Sequence, residues 1–420
     1  MSPHSNYSSS KFISFLKIFF KRAYDPFFWR FAADSEFPNH VPNIILSPEM
    51  KLSATVTPAD LGYSLPAEWA PHVATWLGWP HQRTDWPGKF AVIPWVYGEM
   101  VRQISVGEKI FLLVRHAKDM ATARRILQPV GVDLRQIQFV TYPTNRGWTR
   151  DTGPIFVRKA ENGKQKTETA IVHFHFNGWA KYANWRKDTK VPQIAAQLLG
   201  KKLFDAKCSV PAATKNSKFE TKNFVLEGGG IEGNGRGTLL STEQCYLHPR
   251  IQVRNPGLGK KEFEQALRAN LGVRNIFWLA QGPQGDDTHG HIDDICRFVN
   301  PTTLVLVREK NPRDVNYRPL AENWERIGDL RLEDGTKPTV IELPMPAPLT
   351  FAGVRLPASY ANFYISNAAV IVPTFNDPQD RVALGILGEL FRDRPVVGIH
   401  AVDLVWGFGS LHCLTQQQPA

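Results

Sequence analysis

With 43% hydrophobic and 21% charged residues, a chain of 420 residues has ample apolar material for a large core, and this excludes a disordered or fibrous protein. The formal net charge of +11 invites nucleic-acid binding, but the excess is concentrated between Arg158 and Lys222, where 14 Lys/Arg face 5 Asp/Glu without a basic helix or finger motif. A solvated basic face is expected, and no nucleic-acid partner.

From the N-terminus, the first ~60 residues lack clear periodicity and read as a leader over 1–60, disordered or peripheral, ahead of a single catalytic domain over 61–420. Phe12 to Phe20 is apolar, but it is interrupted by Lys17 and is too short for a membrane span. Met50 offers an alternative start. Further on, β-branched runs predict strands over Ile110 to Val114, Ile137 to Tyr142, Ala170 to Phe176, Thr303 to Val307, Ala369 to Val372 and Pro395 to Ile399. Helical periodicity marks Trp95 to Ile104, Val191 to Leu199, Lys260 to Leu271 and Asp380 to Phe391. The alternation predicts an α/β fold. Gly228, Gly230 and Gly233 satisfy G-x-G-x-x-G, yet they lead into Thr238 to Thr242, which reads as the second strand of a hairpin; a dinucleotide loop must open a helix.

Four strand-like runs end in a polar or glycine-rich cluster followed by a hairpin-like pair. Their landmarks are Asp151, Glu227, His291 and Asn362, spaced by 76, 64 and 71 residues, and Cys413 follows after 51 more. The last segment has no partner strand behind it, and Pro71 to Pro80 is the run that can supply one. Five such units, closed by joining chain start to chain end, describe a cyclic, propeller-like array with each cluster at its axis.

These clusters carry the chemistry. Cys413 is a nucleophile candidate, with Gly407 and Gly409 permitting close backbone approach. The other cysteines, Cys208, Cys245 and Cys296, read as buried hydrophobes. None of the four forms a C-x-x-C, so neither a disulfide framework nor a structural zinc site is expected, and a reducing, cytoplasmic setting fits. Gly290-His291-Ile292-Asp293 sets an imidazole and a carboxylate at i and i+2, on one face if the segment is a strand. Asp151 follows Trp148 by three residues, and Glu227 precedes paired glycines. Singly, each has a bland alternative: a turn cap, a backbone-amide acceptor, a structural His–Asp bond. Together, carboxylates, a histidine, a thiol and a tryptophan suit a planar guanidinium held by paired N–H donors under an aromatic face.

The chain resembles the agmatine deiminases, within the bacterial-type peptidyl-arginine deiminase group of the guanidine-modifying superfamily. The resemblance runs from about Leu65 to the C-terminus. It rests on Pro66-Ala67-Glu68-Trp69, Trp148 to Pro154, Phe176-Asn177-Gly178-Trp179, Glu227-Gly228-Gly229, Gly290-His291-Ile292-Asp293, Ala358 to Asn367 and His412 to Pro419. It implies a five-bladed α/β-propeller (pentein) and hydrolysis of agmatine to N-carbamoylputrescine and ammonia, without metal or other cofactor, through an amidino-cysteine on Cys413. It further implies His291 as acid/base, Asp151 and Asp293 as the guanidinium clamp, Glu227 as an orienting acid and Trp148 as a pocket wall. Gly407-Phe408-Gly409-Ser410 is bulkier than the family's usual glycine-rich run, which bears on pocket shape.

Three alternatives remain. Asp286 to Asp294 contains H-x-H and several acids, adequate for a metal-dependent guanidine hydrolase. Free or peptidyl arginine is the alternative substrate on the same fold, with Arg150 or Arg186 as the anchor for a free α-carboxylate. A non-catalytic docking role would leave the reactive side chains idle. A homodimer is the base-rate expectation for the assembly.

Overall fold

In the computed structural model, which describes residues 56–160, 167–211 and 219–420, each polar cluster is a single turn that leads straight into a strand. The turns are Thr149–Thr152, Gly228–Gly230, Ile292–Asp294, Tyr360 with Ala361, and Leu411–Leu414. The strands that follow are Ile155–Ala160, Glu232–Gly233, Cys296–Asn300, Tyr364–Ile365 and Thr415–Pro419.

Four of these strands pair antiparallel with the next in the chain: Thr167–His173, Thr238–Thr242, Thr303–Arg308 and Val370–Thr374. The second strand then pairs parallel with a third: Leu203–Asp205, Asn275–Leu279, Thr339–Pro344 and Val396–His400. Parallel neighbours need a crossover, and each is a helix: Val191–Leu199, Lys260–Leu271, Tyr317–Ile327 and Pro378–Leu390. The helix limits follow local chemistry. Proline sits in the first turn of Val191–Leu199 and of Pro378–Leu390, and Gly200 and Gly272 close their helices in the left-handed region. The second strands are buried nearly throughout, as a strand covered on both faces must be.

The fifth sheet is assembled from both ends of the chain. Thr415–Pro419 pairs antiparallel with His72–Gly78, in register Leu77 with Thr415, Trp76 with Gln416 and Thr75 with Gln417. His72–Gly78 then pairs parallel with Lys109–Val114, after the helix Ile93–Ile104, and a further parallel strand, Ile137–Thr141, extends this sheet. The glutamine run is therefore a buried strand, with Gln418 accepting from Trp76 Nε1 at 3.0 Å.

The turns are linked into a closed ring. Gly229 N donates to Asp151 (2.9 Å), His291 bonds Glu227 (2.9 Å), and Asn362 donates to Asp294 (3.0 Å). Asn362 Oδ1 accepts from His412 N (3.0 Å), and Arg150 Nε donates to the His412 carbonyl (3.3 Å). Five turns thus meet in cyclic order, first to second and so round to first.

The strands and helices expected from periodicity are present within a few residues of their predicted limits. One element differs: Gly290-His291-Ile292-Asp293 enters a 3-10 turn instead of a strand, because the Gly290 and His291 N–H groups go to the nearby Asp286 carboxylate and the imidazole goes across the ring to Glu227, not to a ladder. Residues Leu52–Ala420 form one compact unit. The leader expected over 1–60 lies, as far as residue 55, outside the described residues. Among the described residues no helix is long and apolar enough to cross a membrane.

Candidate active site

All six site residues expected from the sequence meet where the turns converge. His291 Nδ1 lies 3.9 Å from Asp151 Oδ1 and 4.0 Å from Asp293 Oδ1, and Cys413 Sγ is 3.6 Å from Asp293 Oδ2. The opposite nitrogen of His291, Nε2, bonds Glu227 at 2.9 Å. His291 Nδ1 and Asp293 Oδ1 are buried and have no hydrogen-bond partner in the protein. The turns supply this geometry cheaply: a one-turn helix or 3-10 turn projects side chains from adjacent positions without occupying the ring centre with ladder-paired backbone. At that centre only glycine is tolerated at 229. A Cβ there would lie 2.5 Å from His291 Nδ1, 3.0 Å from Asp151 Oδ1 and 3.1 Å from Asp293 Oδ2.

Trp148 walls the approach to these groups. A cavity of about 290 Å³ opens onto Asp151 and Cys413 between Trp148, Trp179, Trp406 and Phe408, with Asp85, Arg146, Tyr182 and Asp287 also along its lining. Two tryptophans fix carboxylates as well as making surface: Trp179 Nε1 donates to Asp151 Oδ2 (2.9 Å) and Trp148 Nε1 to Asp85 Oδ2 (3.0 Å). Trp179, His289 and Phe408 all hold positive φ, at 57°, 64° and 65°, so strained backbone gathers at this site. Gly407 and Gly409 serve a different purpose from the one expected. A Cβ on either would run into Trp148, and into Trp86 or Cys413 respectively, so these glycines admit indole rings against the backbone. Phe408, the bulky residue of that run, does line the cavity, whereas Ser410 turns inward to donate to Asn362.

The electrostatics follow from burial among charges. Burial lifts the Asp151 carboxyl to about 6 against the opposing pull of His291. Burial opposes charge on His291, but Asp151 and hydrogen bonds to Cys245 and Glu227 outweigh it and raise the imidazole well above its usual range. Glu227 and Asp293 are both pushed up by burial and pulled lower on balance, the first by Arg254 and His291, the second by His412 and His291. Burial, then Asp293, Asp294 and Asp151, hold the Cys413 thiol well above its ordinary value.

Several residues that hold this machinery were not singled out for a role in the sequence. Arg254, fully buried, grips Glu227 through Nε and Nη2 at 3.1 to 3.2 Å. His412, next to the thiol, faces Asp293 Oδ2 through Nδ1 (2.7 Å) and Glu68 Oε2 through Nε2 (2.8 Å). Glu68 in turn takes Arg297 at 2.9 Å and Arg150 at 3.3 Å. Glu68, Trp179 and Asn362 stood inside motifs of the resemblance, so their presence was legible though their partners were not. Arg254 carried no signal in the sequence.

Neither arginine named as an anchor for a substrate carboxylate is placed to serve. Arg150 is buried against Glu68, Gln417 and the His412 carbonyl, and Arg186 lies over the Trp185 ring; neither lines the cavity. The H-x-H pair also separates, His289 packing edge-on against His248 while His291 enters the ring. Among the described residues one trio of metal-capable side chains comes within mutual reach, Glu227, Cys245 and His291. Its carboxylate is already neutralised by Arg254, whose charge opposes a cation there.

Comparison with known proteins places this geometry. The family model described as Porphyromonas-type peptidyl-arginine deiminase matches residues 64–419. An agmatine deiminase of Pseudomonas fluorescens is 34% identical over 390 residues, covering 87% of this chain and 97% of that protein. An agmatine deiminase of Medicago truncatula is 33% identical over 393 residues, covering 87% and 98%. Among solved structures, agmatine deiminase of Enterococcus faecalis superposes with a TM-score of 0.76 at 28% identity, covering 88% of this chain and 99% of the other.

Proposed function

The chain belongs to the Porphyromonas-type peptidyl-arginine deiminase family, and from that premise we propose that it hydrolyses agmatine to N-carbamoylputrescine and ammonia. The fold is then a five-bladed α/β-propeller over residues 61–420, its blades the five sheets of common strand order. The four free cysteines favour a reducing, cytoplasmic setting.

The observation that carries this reading is the set of buried groups left to be satisfied at the ring centre. Asp293 Oδ1 lacks a partner beside the Asp151 carboxylate and the Cys413 thiol, while the unpartnered Nδ1–H of the charged His291 lies within 4.0 Å of both carboxylates as a proton donor for a departing nitrogen. A guanidinium supplies planar N–H forks for Asp151 and Asp293 and presents its carbon to sulfur. Its positive charge also offsets the carboxylates that hold the thiol protonated, so Cys413 gives its proton to water in the cavity as substrate enters, His291 being already charged. Sγ then adds to the guanidinium carbon, the C–N bond breaks, and His291 gives its proton to the departing ammonia. Water attacks the resulting S-amidino cysteine, its proton passes to His291, and collapse releases the thiol and the ureido product. Glu227, anchored by Arg254, keeps the imidazole oriented and charged.

The rest of the cavity favours agmatine over arginine. Its aromatic walls suit a polymethylene chain, and Asp287, which also meets Lys181 and Tyr182, is the lining carboxylate left for a distal ammonium, Asp85 being taken by Arg146. Arg146, the cation on the lining, is committed to Asp85 and lies over the Tyr182 ring. Ammonia release from agmatine, free arginine and an arginyl peptide tests this directly. We expect kcat/KM for agmatine to exceed the others by about 100-fold or more, as for a site that leaves a substrate charge unpaired; preference for the peptide overturns the assignment.

The position of Asp151 also sets a pH limb. Its carboxyl ionises at about 6 in the free protein, so the guanidinium clamp is complete above that pH and incomplete below it. kcat/KM is expected to fall about tenfold per pH unit below 6. Asp151→Asn should lose this limb as well as most activity, and a wild-type profile flat from pH 7 to pH 5 would rule the clamp role out.

A further inference from the structure

We propose that Asn362 is a catalytic residue, its side-chain amide N–H stabilising the Cys413 thiolate. The inference rests on Cys413 being the nucleophile.

Every hydrogen-bonding position of this buried amide is committed. Asn362 Oδ1 accepts from Ser410 Oγ (2.8 Å), His412 N (3.0 Å) and Cys413 N (3.4 Å). Three donors on one end leave no freedom in the orientation of the amide: the oxygen faces the 410–413 backbone and the nitrogen faces away from it. The nitrogen's two hydrogens then go to Asp294 Oδ1 at 3.0 Å and Cys413 Sγ at 3.1 Å.

That contact stands out against its surroundings. The sulfur is buried, and the side chains acting on it are the carboxylates of Asp293, Asp294 and Asp151, all of which disfavour a thiolate. Beside the Ser410 backbone N–H, the Asn362 N–H is the neutral side-chain donor that touches the sulfur, and it gains strength as negative charge develops there, in the manner of a preorganised oxyanion donor. A second carboxylate or a second cation at 362 would spoil a site that already binds a cation between acids. An amide supplies a donor without adding charge. The fourth unit of the ring, which contributes none of the groups that clamp the guanidinium, thereby acquires a chemical task.

The test separates this role from the amide's support of the 410–413 turn. Asn362→Asp keeps an oxygen for the three backbone and hydroxyl donors but exchanges the N–H on sulfur for a further negative charge; Asn362→Ala removes both ends of the amide without adding charge. Alkylation of Cys413 by iodoacetamide, followed by peptide mass spectrometry across pH in the full chain, reports thiolate directly and needs no substrate. We expect alkylation at pH 8 to slow about tenfold in Asn362→Ala, equivalent to ~1.4 kcal/mol, and further in Asn362→Asp, and kcat for agmatine to fall roughly 100-fold in the alanine variant with KM within about threefold. A folded variant, Asp or Ala, whose Cys413 alkylates at the wild-type rate at every pH overturns the proposal. Should agmatine prove the wrong substrate, the alkylation profile still decides the role of Asn362, and activity surviving Cys413→Ala would instead bring down the functional reading itself.

Discussion

Replacing Cys413 by alanine should lower agmatine turnover by about 100,000-fold or more, because removal of a covalent nucleophile leaves only binding and electrostatic effects. Agmatine binding should survive. The groups proposed to clamp the guanidinium, Asp151 and Asp293, come from other turns and are held by their own partners, Trp179 and Gly229 on Asp151 and His412 on Asp293. The deleted sulfur lies 3.6 Å from Asp293 Oδ2 and forms no part of that clamp. Calorimetric titration of the variant should give a dissociation constant within about tenfold of the wild-type value, or tighter, since the carboxylates no longer share the pocket with a thiol. Ammonia release in stopped assays, with and without a chelator, completes the measurement. Turnover retained in the alanine variant and abolished by chelator would transfer the chemistry to a metal and remove Cys413 from the mechanism.

The parts of this site that were legible in the sequence are those whose signal is local. Cys413, His291 with Asp293, Asp151 and Glu227 each sit in a short polar cluster, and the recurrence of such clusters exposed the five-unit order before any partner was visible. Pairing of the chain's two ends was legible for the same reason: the last segment had no partner strand behind it, and the run from Pro71 to Pro80 was there to supply one. What stayed hidden depends on contacts between distant segments. Arg254 lies in a loop of ordinary composition and acquires meaning only when it folds back onto Glu227, 27 residues away. Glu68 and His412 are 344 residues apart and stood separately in two motifs of the resemblance, with nothing to pair them. The glycines at 407 and 409 gave a correct signal of close approach, but sequence cannot say that the approaching object is an indole ring rather than a ligand. The segment 290–293 shows the same limit, since alternation of polar residues does not tell a strand from the 3-10 turn found there.

Ending the chain after Leu414 should abolish activity and lower the melting temperature by roughly 10 °C, although every residue proposed for the clamp and the chemistry is retained. The removed segment, Thr415–Pro419, is the antiparallel partner of His72–Gly78. Its loss exposes one edge of the fifth sheet and leaves a run of paired backbone groups without partners, for which about 5 kcal/mol is a fair total at ~1 kcal/mol per bond. The effect reaches the site through named contacts. Arg150 loses Gln417 Oε1, its 2.8 Å partner, and Arg150 is both the neighbour of Asp151 and the residue whose Nε closes the ring onto the His412 carbonyl. Thr415 Oγ1, which bonds the carbonyls of Leu411 and His412 at 3.2 and 3.0 Å, no longer fixes the turn that carries the thiol. Trp76 Nε1 is left buried without Gln418. Circular dichroism melting and ammonia release on the shortened chain measure both consequences. A chain ending at Leu414 that melts with the full-length protein and keeps its turnover would mean that the nucleophile is positioned by the ring alone, and that closure of the fifth sheet by the C-terminus is incidental to catalysis.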